Sequence, residues 1–289
     1  MIRDPLHKLA EDLHLKGLAK STREEYTRCA AKFIEYHSSL EPEELGEAEA
    51  RQFLLHRLAN DRVGHATLKV NVAALRFFYA NTLGRPDVAA MILYPKVKSA
   101  LPDILSGTEV RSLLGAMQHP KYRAIIMTTY GAGLRISETC HLRVADIDSG
   151  RMVLHIRGGK GGRDRIVPLS PSVLWTLRSY WKTVRPGMDF LFPGKEPGQP
   201  ISFDAVRHHL QEAAIQAGLQ KRVTPHVLRH SFATHLLELG TDIRVIQTLL
   251  GHGSLQSTLR YARVTPAHAG RVRSPIDVLD TPEARAKLG

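Results

Sequence analysis

Apolar residues along the first 84 positions recur at intervals of three and four, which is the spacing of one buried helix face. This spacing predicts three helices: one beginning at the capping box Ser21–Glu24, one over Glu47–Asn60 and one over His65–Leu83. No strand is predicted between them. The first part of the chain is therefore predicted to be entirely helical.

After residue 103 the helical spacing continues, but two short runs indicate strands. Arg151–Ile156 and Arg165–Leu169 flank a glycine-rich turn at residues 158–162, and together they predict a hairpin with a long tip. Helices are predicted around the hairpin at Thr108–Gln118, Lys121–Tyr130, Pro171–Val184, Phe203–Gly218, Pro225–Leu239, Ile243–Leu250 and Leu255–Ala262. The predicted fold class is mainly α with a small antiparallel β-sheet in the C-terminal domain.

A change of composition separates the two parts. The segment Gly84–Asp103 carries three prolines and two lysines, which is typical of an extended basic linker. We predict a helical domain over residues 1–84, a linker over 85–103, a second domain over 104–265 and a tail over 266–289.

Charge is the unusual feature of the composition. The 289 residues hold 40 Lys and Arg against 28 Asp and Glu, a net charge of +12. Residues 1–100 contribute 15 and 13 of these, leaving 25 and 15, a net +10, for the second part. Such an excess indicates a polyanion partner, either nucleic acid or an acidic membrane surface.

The remaining composition narrows the class of protein. Hydrophobic residues at 43% predict a soluble globular protein, and no apolar run approaches the ~18 residues of a membrane span. The first residues carry acids where a signal peptide needs an apolar stretch. Two cysteines are too few for a disulfide framework. These features favour a cytoplasmic protein.

Two glycine-rich segments present basic side chains. In Gly131-Ala-Gly-Leu-Arg135-Ile-Ser-Glu138 the glycines permit a tight turn or a close backbone approach beside Arg135, although an arginine paired with a carboxylate is also a common structural feature. Lys160 lies at the hairpin tip, near Arg157, Arg163 and Arg165, without the spacing of a nucleotide-binding phosphate loop. It is either a mobile cation beside a bound phosphate or part of an exposed basic turn.

The segment Thr224–His235 is the most informative stretch. Thr224 and Pro225 mark a helix start, and His226 and Arg229 share one face of its first turn, where backbone N–H groups favour a phosphate. His226 and His230 have the i, i+4 spacing of metal ligands, but the glutamate of the HExxH zinc motif is missing, so no metal is predicted.

Two further side chains complete the set. His252 stands between two glycines, and Tyr261 follows on a short predicted helix, where a lone tyrosine is more often a packing residue. Taken together, arginines, histidines, a lysine and a tyrosine on a basic protein suit phosphoryl transfer without metal. Guanidinium groups match phosphate oxygens bidentately, and a phenol serves as nucleophile and later as leaving group.

The order of these motifs resembles that of the tyrosine recombinases, the phage integrase and Xer-type family, over nearly the whole chain. The segments that carry the resemblance are Gly-Leu-Arg135-Ile-Ser-Glu138, Lys160 in its hairpin, His226-Val-Leu-Arg229-His-Ser-Phe-Ala-Thr-His, Leu-Leu-Gly-His252 and Thr-Leu-Arg-Tyr261. In the first part, Ser21-Thr-Arg-Glu-Glu-Tyr26 and Ala74-Leu-Arg-Phe-Phe-Tyr79 resemble the family's helical core-binding domain.

The resemblance implies a role for each residue. Tyr261 would attack the scissile phosphate to form a 3′-phosphotyrosyl link, and Lys160 would protonate the leaving 5′-oxygen. Arg135, Arg229 and His252 would hold the phosphate. His226 would assist proton transfer at the tyrosine. Glu138 would support the phosphate-binding side chains without contacting the phosphate.

The resemblance also implies the partners. It predicts a two-domain clamp on double-stranded DNA with inverted-repeat core sites, a tetrameric synapse, and a C-terminal tail that docks into a neighbour or is disordered. Candidate DNA contacts are Arg157 and Arg163, together with Lys69 and Arg76. The helical spacing places Lys69 and Arg76 away from the apolar face of their helix, where they either face DNA or form a solvated basic surface. No cofactor is expected. The alternatives are a type IB topoisomerase, which relaxes DNA by similar chemistry, and a DNA-binding accessory protein with a weak site.

Overall fold

The computed structural model describes residues 4–96, 103–158, 164–184 and 189–251. The chain divides into two compact units, residues 1–100 and 101–289. Each unit has its own hydrophobic core. In the described ranges, none of the helices combines the length and apolar character needed to cross a membrane.

The described part of the first unit is helical, as predicted. Its elements are α1 (Pro5–Leu15), α2 (Lys20–Tyr36), α3 (Glu47–Ala59), α4 (His65–Phe77), a π-helical turn (Phe78–Thr82) and α5 (Pro86–Met91). Aromatic rings fill the core, where Phe33 packs against Phe53 and Tyr79 with ring centroids 5.4 and 6.1 Å apart. The buried Tyr79 hydroxyl donates to the carbonyl of Gly46, so its polar end has a partner.

The predicted start of α2 is wrong. The helix begins at Lys20, and Ala19 at the N-cap position makes no side-chain bond. Ser21 and Glu24 therefore lie inside the helix. Serine and glutamate three residues apart also occur within helices, and here the N-cap is Ala19, two residues before the predicted Ser21.

The structure also differs from the predicted linker over residues 85–103. Pro86 opens α5, and Val88, Ala89 and Ile92 are buried in the core of the first unit. Proline at the first helical position is compatible with a helix start, which the prediction took as a break.

The second unit combines helices with one small sheet. Its elements are α6 (Gly107–Ala116), α7 (Pro120–Gly131), α8 (Ile136–Cys140), a 3-10 turn (Val144–Asp146), β1 (Ile147–Asp148), β2 (Val153–Ile156), β3 (Arg165–Pro168), α9 (Pro171–Val184), α10 (Phe203–Gln216), α11 (Pro225–Glu238) and α12 (Ile243–Leu250). The strands lie in the order β1-β2-β3 and are antiparallel. The predicted helix Leu255–Ala262 lies outside the described residues.

Alternation along the sheet buries one face. Leu154 pairs with Val167, and both are buried, whereas Ile166 on the next position is exposed. Helix α7 lies at the centre of the unit, where Ile125 and Ile126 are fully buried. The mainly helical fold with a small antiparallel sheet is thus confirmed.

Candidate active site

The turn between α7 and α8 needs its glycines. Gly133 has φ +62°, and a Cβ atom there would lie 2.3 Å from the Phe232 ring. A Cβ on Gly131 would lie 2.6 Å from a methyl group of Val173. The sequence prediction of a tight turn with close approach is correct, and the turn delivers Arg135 directly to the start of α8.

Glu138 lies at the centre of the described site. Its Oε2 atom accepts the backbone N–H of Arg135 at 2.8 Å, and its Oε1 atom accepts the Arg135 side chain, also at 2.8 Å. The carboxylate therefore caps α8 and orients Arg135 at the same time. Arg135 also approaches the carbonyl of Gly251, at 3.4 Å.

Arg229 reaches the same cluster from the first turn of α11. It donates to the carbonyl of Gly133 at 2.7 Å and to the carbonyl of Leu250, and its Nη1 lies 3.7 Å from Glu138. Its side chain is only 4% exposed. Arg135 and Arg229, separated by 94 positions in the sequence, are therefore held around one carboxylate.

A third arginine, Arg165, was missed by the sequence analysis as a site residue. It donates to both oxygens of Glu138, each at 2.8 Å, and its Nε donates to the carbonyl of Leu249 at 2.7 Å. The sequence pattern of the strand indicates this role, since alternation places Arg165 on the same sheet face as the buried Val167. A charged residue at a core-facing position needs a buried partner, and Glu138 is that partner.

The cluster carries a net positive charge. Three guanidinium groups surround one carboxylate, which leaves +2 at neutral pH. Burial on its own raises the pKa of Glu138, but the hydrogen bonds from Arg165 and Arg135 outweigh it and lower the pKa to about 2. Glu138 is thus ionised, and the remaining positive charge favours binding of an anion such as phosphate.

His226 is the second residue of α11 and is exposed at its N-terminus. The pKa of its ring is lowered from 6.5 by partial burial and then by the nearby charges of Arg229, Arg135 and Arg207. The ring is therefore neutral at pH 7 and can accept a proton. Thr224 caps the helix by accepting the N–H of Val227 at 3.2 Å, as predicted.

Several predicted site residues lie outside the described residues: Lys160, Arg163, His252 and Tyr261. The described residues nearest to them in the sequence lie at the ends of two elements. β2 ends at Ile156 before the hairpin tip, and α12 ends in the left-handed Gly251, directly before His252.

The candidate DNA contacts differ in their surroundings. Lys69 is exposed on α4, whereas Arg76 donates to the carbonyl of Ile92 at 2.8 Å and lies over the Tyr94 ring. Both Lys69 and Arg76 stay candidate contacts, and Arg76 has other nitrogen donors besides the Nη1 atom that binds this carbonyl. Arg157 is 62% exposed, although its Nε pairs with the buried Asp146 at 2.7 Å.

Arg157 and Glu138 line the same cavity of about 610 Å³. The base of the Lys160 hairpin therefore lies beside the arginine cluster. Within the described ranges, no three His, Cys, Asp or Glu side chains group together as metal ligands.

Comparison with known proteins shows the family to which the chain belongs. The model of the phage integrase family matches residues 103–268, and the model of its N-terminal SAM-like domain matches residues 6–87. A putative integrase/recombinase of Sinorhizobium fredii is 41% identical over 98% of this chain and 92% of its own. Tyrosine recombinase XerA of Pyrococcus horikoshii is 34% identical over 96% of this chain and 95% of its own.

Solved structures share the fold. The crystal structure of XerA recombinase matches with a TM-score of 0.55 at 27% identity, over 93% of this chain and 99% of that one. A lambda integrase dimer bound to a COC′ core site matches with a TM-score of 0.72 at 21% identity, over 93% and 96%. The chain belongs to the phage integrase family, the tyrosine recombinases, and is an enzyme of site-specific DNA recombination.

Proposed function

We propose that this enzyme cuts and rejoins double-stranded DNA at inverted-repeat core sites through a 3′-phosphotyrosyl intermediate on Tyr261. The observation that carries the proposal is the cluster of Arg135, Arg229 and Arg165 around the ionised Glu138, with a net charge of +2. Two such arginines neutralise the non-bridging oxygens of a phosphate in the transition state, the task that other nucleases give to a divalent cation. Neither metal nor cofactor is needed for this chemistry.

The reaction is an exchange of one phosphodiester bond for another. The Tyr261 oxygen attacks phosphorus and loses its proton, the bond from phosphorus to the 5′-oxygen breaks, and Lys160 gives that oxygen a proton. Rejoining reverses the steps with a 5′-hydroxyl from the partner strand as nucleophile. The bond energy stays in the phosphotyrosine, so strand exchange requires no ATP.

The neighbouring groups assist these transfers. His226 is neutral at pH 7 and suits a group that takes the tyrosine proton. His252 is proposed to donate to the phosphate; in the sequence it directly follows Gly251, whose carbonyl Arg135 approaches. Glu138 holds the arginines in place from behind the phosphate.

DNA binding is proposed to use the basic surface of both domains. The candidate phosphate contacts are Lys69 and Arg76 on the first unit and Arg157 and Arg163 on the hairpin. The +10 charge of residues 101–289 supplies an electrostatic attraction to the DNA phosphates, which weakens as salt is added. Among the solved structures of similar fold, the lambda integrase dimer is bound to a COC′ core site and XerH site-specific recombinase to a difH substrate.

The proposed assembly and location follow from the same chemistry. A recombinase that exchanges strands between two inverted-repeat sites needs four active protomers, hence a tetrameric synapse, with residues 266–289 as a docking segment. The first domain is proposed to include α5 and to extend at least to Ile92, and the second to cover residues 104–265. The enzyme is proposed to act in the cytoplasm, at the nucleoid.

The test is covalent trapping on DNA. A core site is selected from random DNA, nicked beside the scissile phosphate so that the cut end diffuses away, and incubated with protein and EDTA. Wild type and Tyr122→Phe, a control tyrosine elsewhere in the second unit, should give equal adduct. Tyr261→Phe should give none, and an undiminished adduct from it refutes the proposal.

Exchange between sites separates recombination from relaxation. Two plasmid sites should yield recombinant products with wild-type protein. Relaxation of any supercoiled plasmid without exchange between sites indicates a topoisomerase instead.

A further inference from the structure

We infer that Arg165 is a positioning residue for DNA cleavage, acting through Glu138 on Arg135 and Arg229; this inference rests on the proposed function. Arg165 is 8% exposed and Glu138 is 7% exposed, so their bidentate contact is shielded from solvent. Buried bidentate pairs between arginine and carboxylate fix geometry as well as charge.

The hydrogen bonds show how Arg165 acts. Its Nε, Nη1 and Nη2 atoms each donate to a group of the protein, two of them to Glu138 and one to the carbonyl of Leu249. Arg165 contacts both oxygens of Glu138 with its side chain, whereas Arg135 contacts one of them with its side chain and Arg229 lies 3.7 Å away. We therefore assign Arg165 the role of holding Glu138, and Arg135 and Arg229 remain the proposed phosphate ligands.

Arg165 occupies hydrogen-bond acceptor positions on Glu138 that Arg229 could otherwise use. Each Glu138 oxygen accepts two hydrogen bonds, one from Arg135 and one from Arg165. Arg229 consequently stays 3.7 Å from the carboxylate, beyond hydrogen-bond distance. Without Arg165, an under-bonded carboxylate would draw Arg229 into a direct hydrogen bond and away from the phosphate.

Arg165 also connects the segments that carry the remaining site residues. It follows Lys160 by five positions, and its partner Leu249 precedes His252 by three. A Cβ atom on Gly251 would lie 3.1 Å from the Arg165 side chain, so this glycine leaves room for it. One guanidinium therefore fixes the hairpin strand, Glu138 and the end of α12 relative to each other.

The first test needs no DNA. In protein labelled with ¹⁵N-arginine, the Nε–H resonances of Arg135 and Arg229 are assigned with single Arg→Lys variants and compared across Arg165→Met, Arg165→Lys and a control, Arg151→Met. Arg151 lies beside the same sheet, but it is 83% exposed, and its Nε atom is 3.9 Å from the Asp148 carboxylate, beyond hydrogen-bond distance. Both Arg165 variants should shift or broaden the Arg135 and Arg229 signals, whereas the control should not.

The outcome of this test does not depend on activity. Unchanged Arg135 and Arg229 resonances in the Arg165 variants overturn the inference, even if the wild type cuts DNA. If Arg165→Met fails to fold, Arg165→Lys, which keeps the charge but loses the bidentate geometry, decides it.

The second test measures cleavage at saturating protein on the nicked site. Misplacing the phosphate ligands should slow cleavage about 100-fold in Arg165→Met and less in Arg165→Lys. Affinity for the site should remain within about 3-fold of wild type, since Arg165 is not a phosphate ligand. Weakened binding with an unchanged cleavage rate contradicts a positioning role.

A double-mutant cycle tests whether Arg165 affects cleavage through Glu138. If Arg165 acts through Glu138, Arg165→Met should add little to the loss already caused by Glu138→Gln. If the losses of cleavage rate in the two single variants multiply in the double variant, Arg165 acts independently of Glu138 and the inference is overturned. Absence of any adduct from the wild type would instead count against the proposed function, with the resonance test still deciding the role of Arg165.

Discussion

Replacing Gly133 by alanine should destabilise the second unit more than the same change at a matched glycine. Gly133 has φ +62°, and its new Cβ would lie 2.3 Å from Cδ1 of Phe232. Gly218, after α10 in the same unit, has φ +67° with nothing within 4 Å of a Cβ atom. The two changes therefore share the backbone strain and differ in the steric overlap.

The magnitudes follow from these two terms. A left-handed alanine costs about 1–2 kcal/mol at either site. Overpacking against Phe232 adds about 1–3 kcal/mol at Gly133 alone. We expect a loss of about 2–5 kcal/mol for Gly133→Ala and about 1–2 kcal/mol for Gly218→Ala.

Urea denaturation followed by tryptophan fluorescence is the suitable assay. Both tryptophans of the chain, Trp175 and Trp181, lie on α9, so their emission reports on the second unit. With a slope of about 2 kcal/mol per M urea, a 2 kcal/mol difference separates the two midpoints by about 1 M. Phe232→Leu, introduced beside Gly133→Ala, should recover part of the loss.

Equal midpoints for the two alanine variants would refute this reasoning. They would mean that the Phe232 ring does not occupy the space beside Gly133. The turn that carries Arg135 would then be placed incorrectly, and with it the carbonyl that Arg229 uses.

Three further predictions concern the ionisable groups. The pKa of Glu138 is lowered from 4.5 to about 2, so its ionised form stabilises the fold above pH 4.5 and this contribution, about 3 kcal/mol, is lost as pH falls toward 2. Urea unfolding across this range should show a loss of stability that is larger in wild type than in Glu138→Gln by about this amount, and parallel curves contradict it. NMR titration of DNA-free protein should give His226 a pKa below 6.5 that rises in Arg207→Gln, and a value above 6.5 contradicts the site's electrostatics. Lys160→Ala should slow cleavage, and a 5′-bridging phosphorothiolate, whose sulfur leaves without a proton, should restore it; absence of rescue removes the general-acid role.

Elements with strong local signals could be predicted from the sequence. Ile243–Leu250 was predicted with the observed bounds, because Asp242 caps its start and the left-handed Gly251 ends it. The strand pair around the hairpin and the start of α11 at Pro225 rest on equally local features. Helix α5 was missed, because Pro86 signals a break as readily as a helix start.

The site could be predicted only where a motif is contiguous. Arg135 and Glu138 lie three positions apart, and the same short segment that suggests them also makes their contact. The contact from Arg165 to Glu138 spans 27 positions and depends on how β3 packs beside α8. Local spacing contains no information on such a pairing, although the inward-facing position of Arg165 indicates that a partner must exist.

Mass spectrometry of the covalent complex tests the central claim most directly. Protein trapped on a nicked core site in EDTA is digested with nuclease and protease, and the nucleotide-bearing peptide is sequenced. We predict a 3′-phosphonucleotide attached to the phenol oxygen of Tyr261 in the peptide that follows Arg260. A nucleotide on any other residue, or DNA cleavage without a linked peptide, would contradict the account.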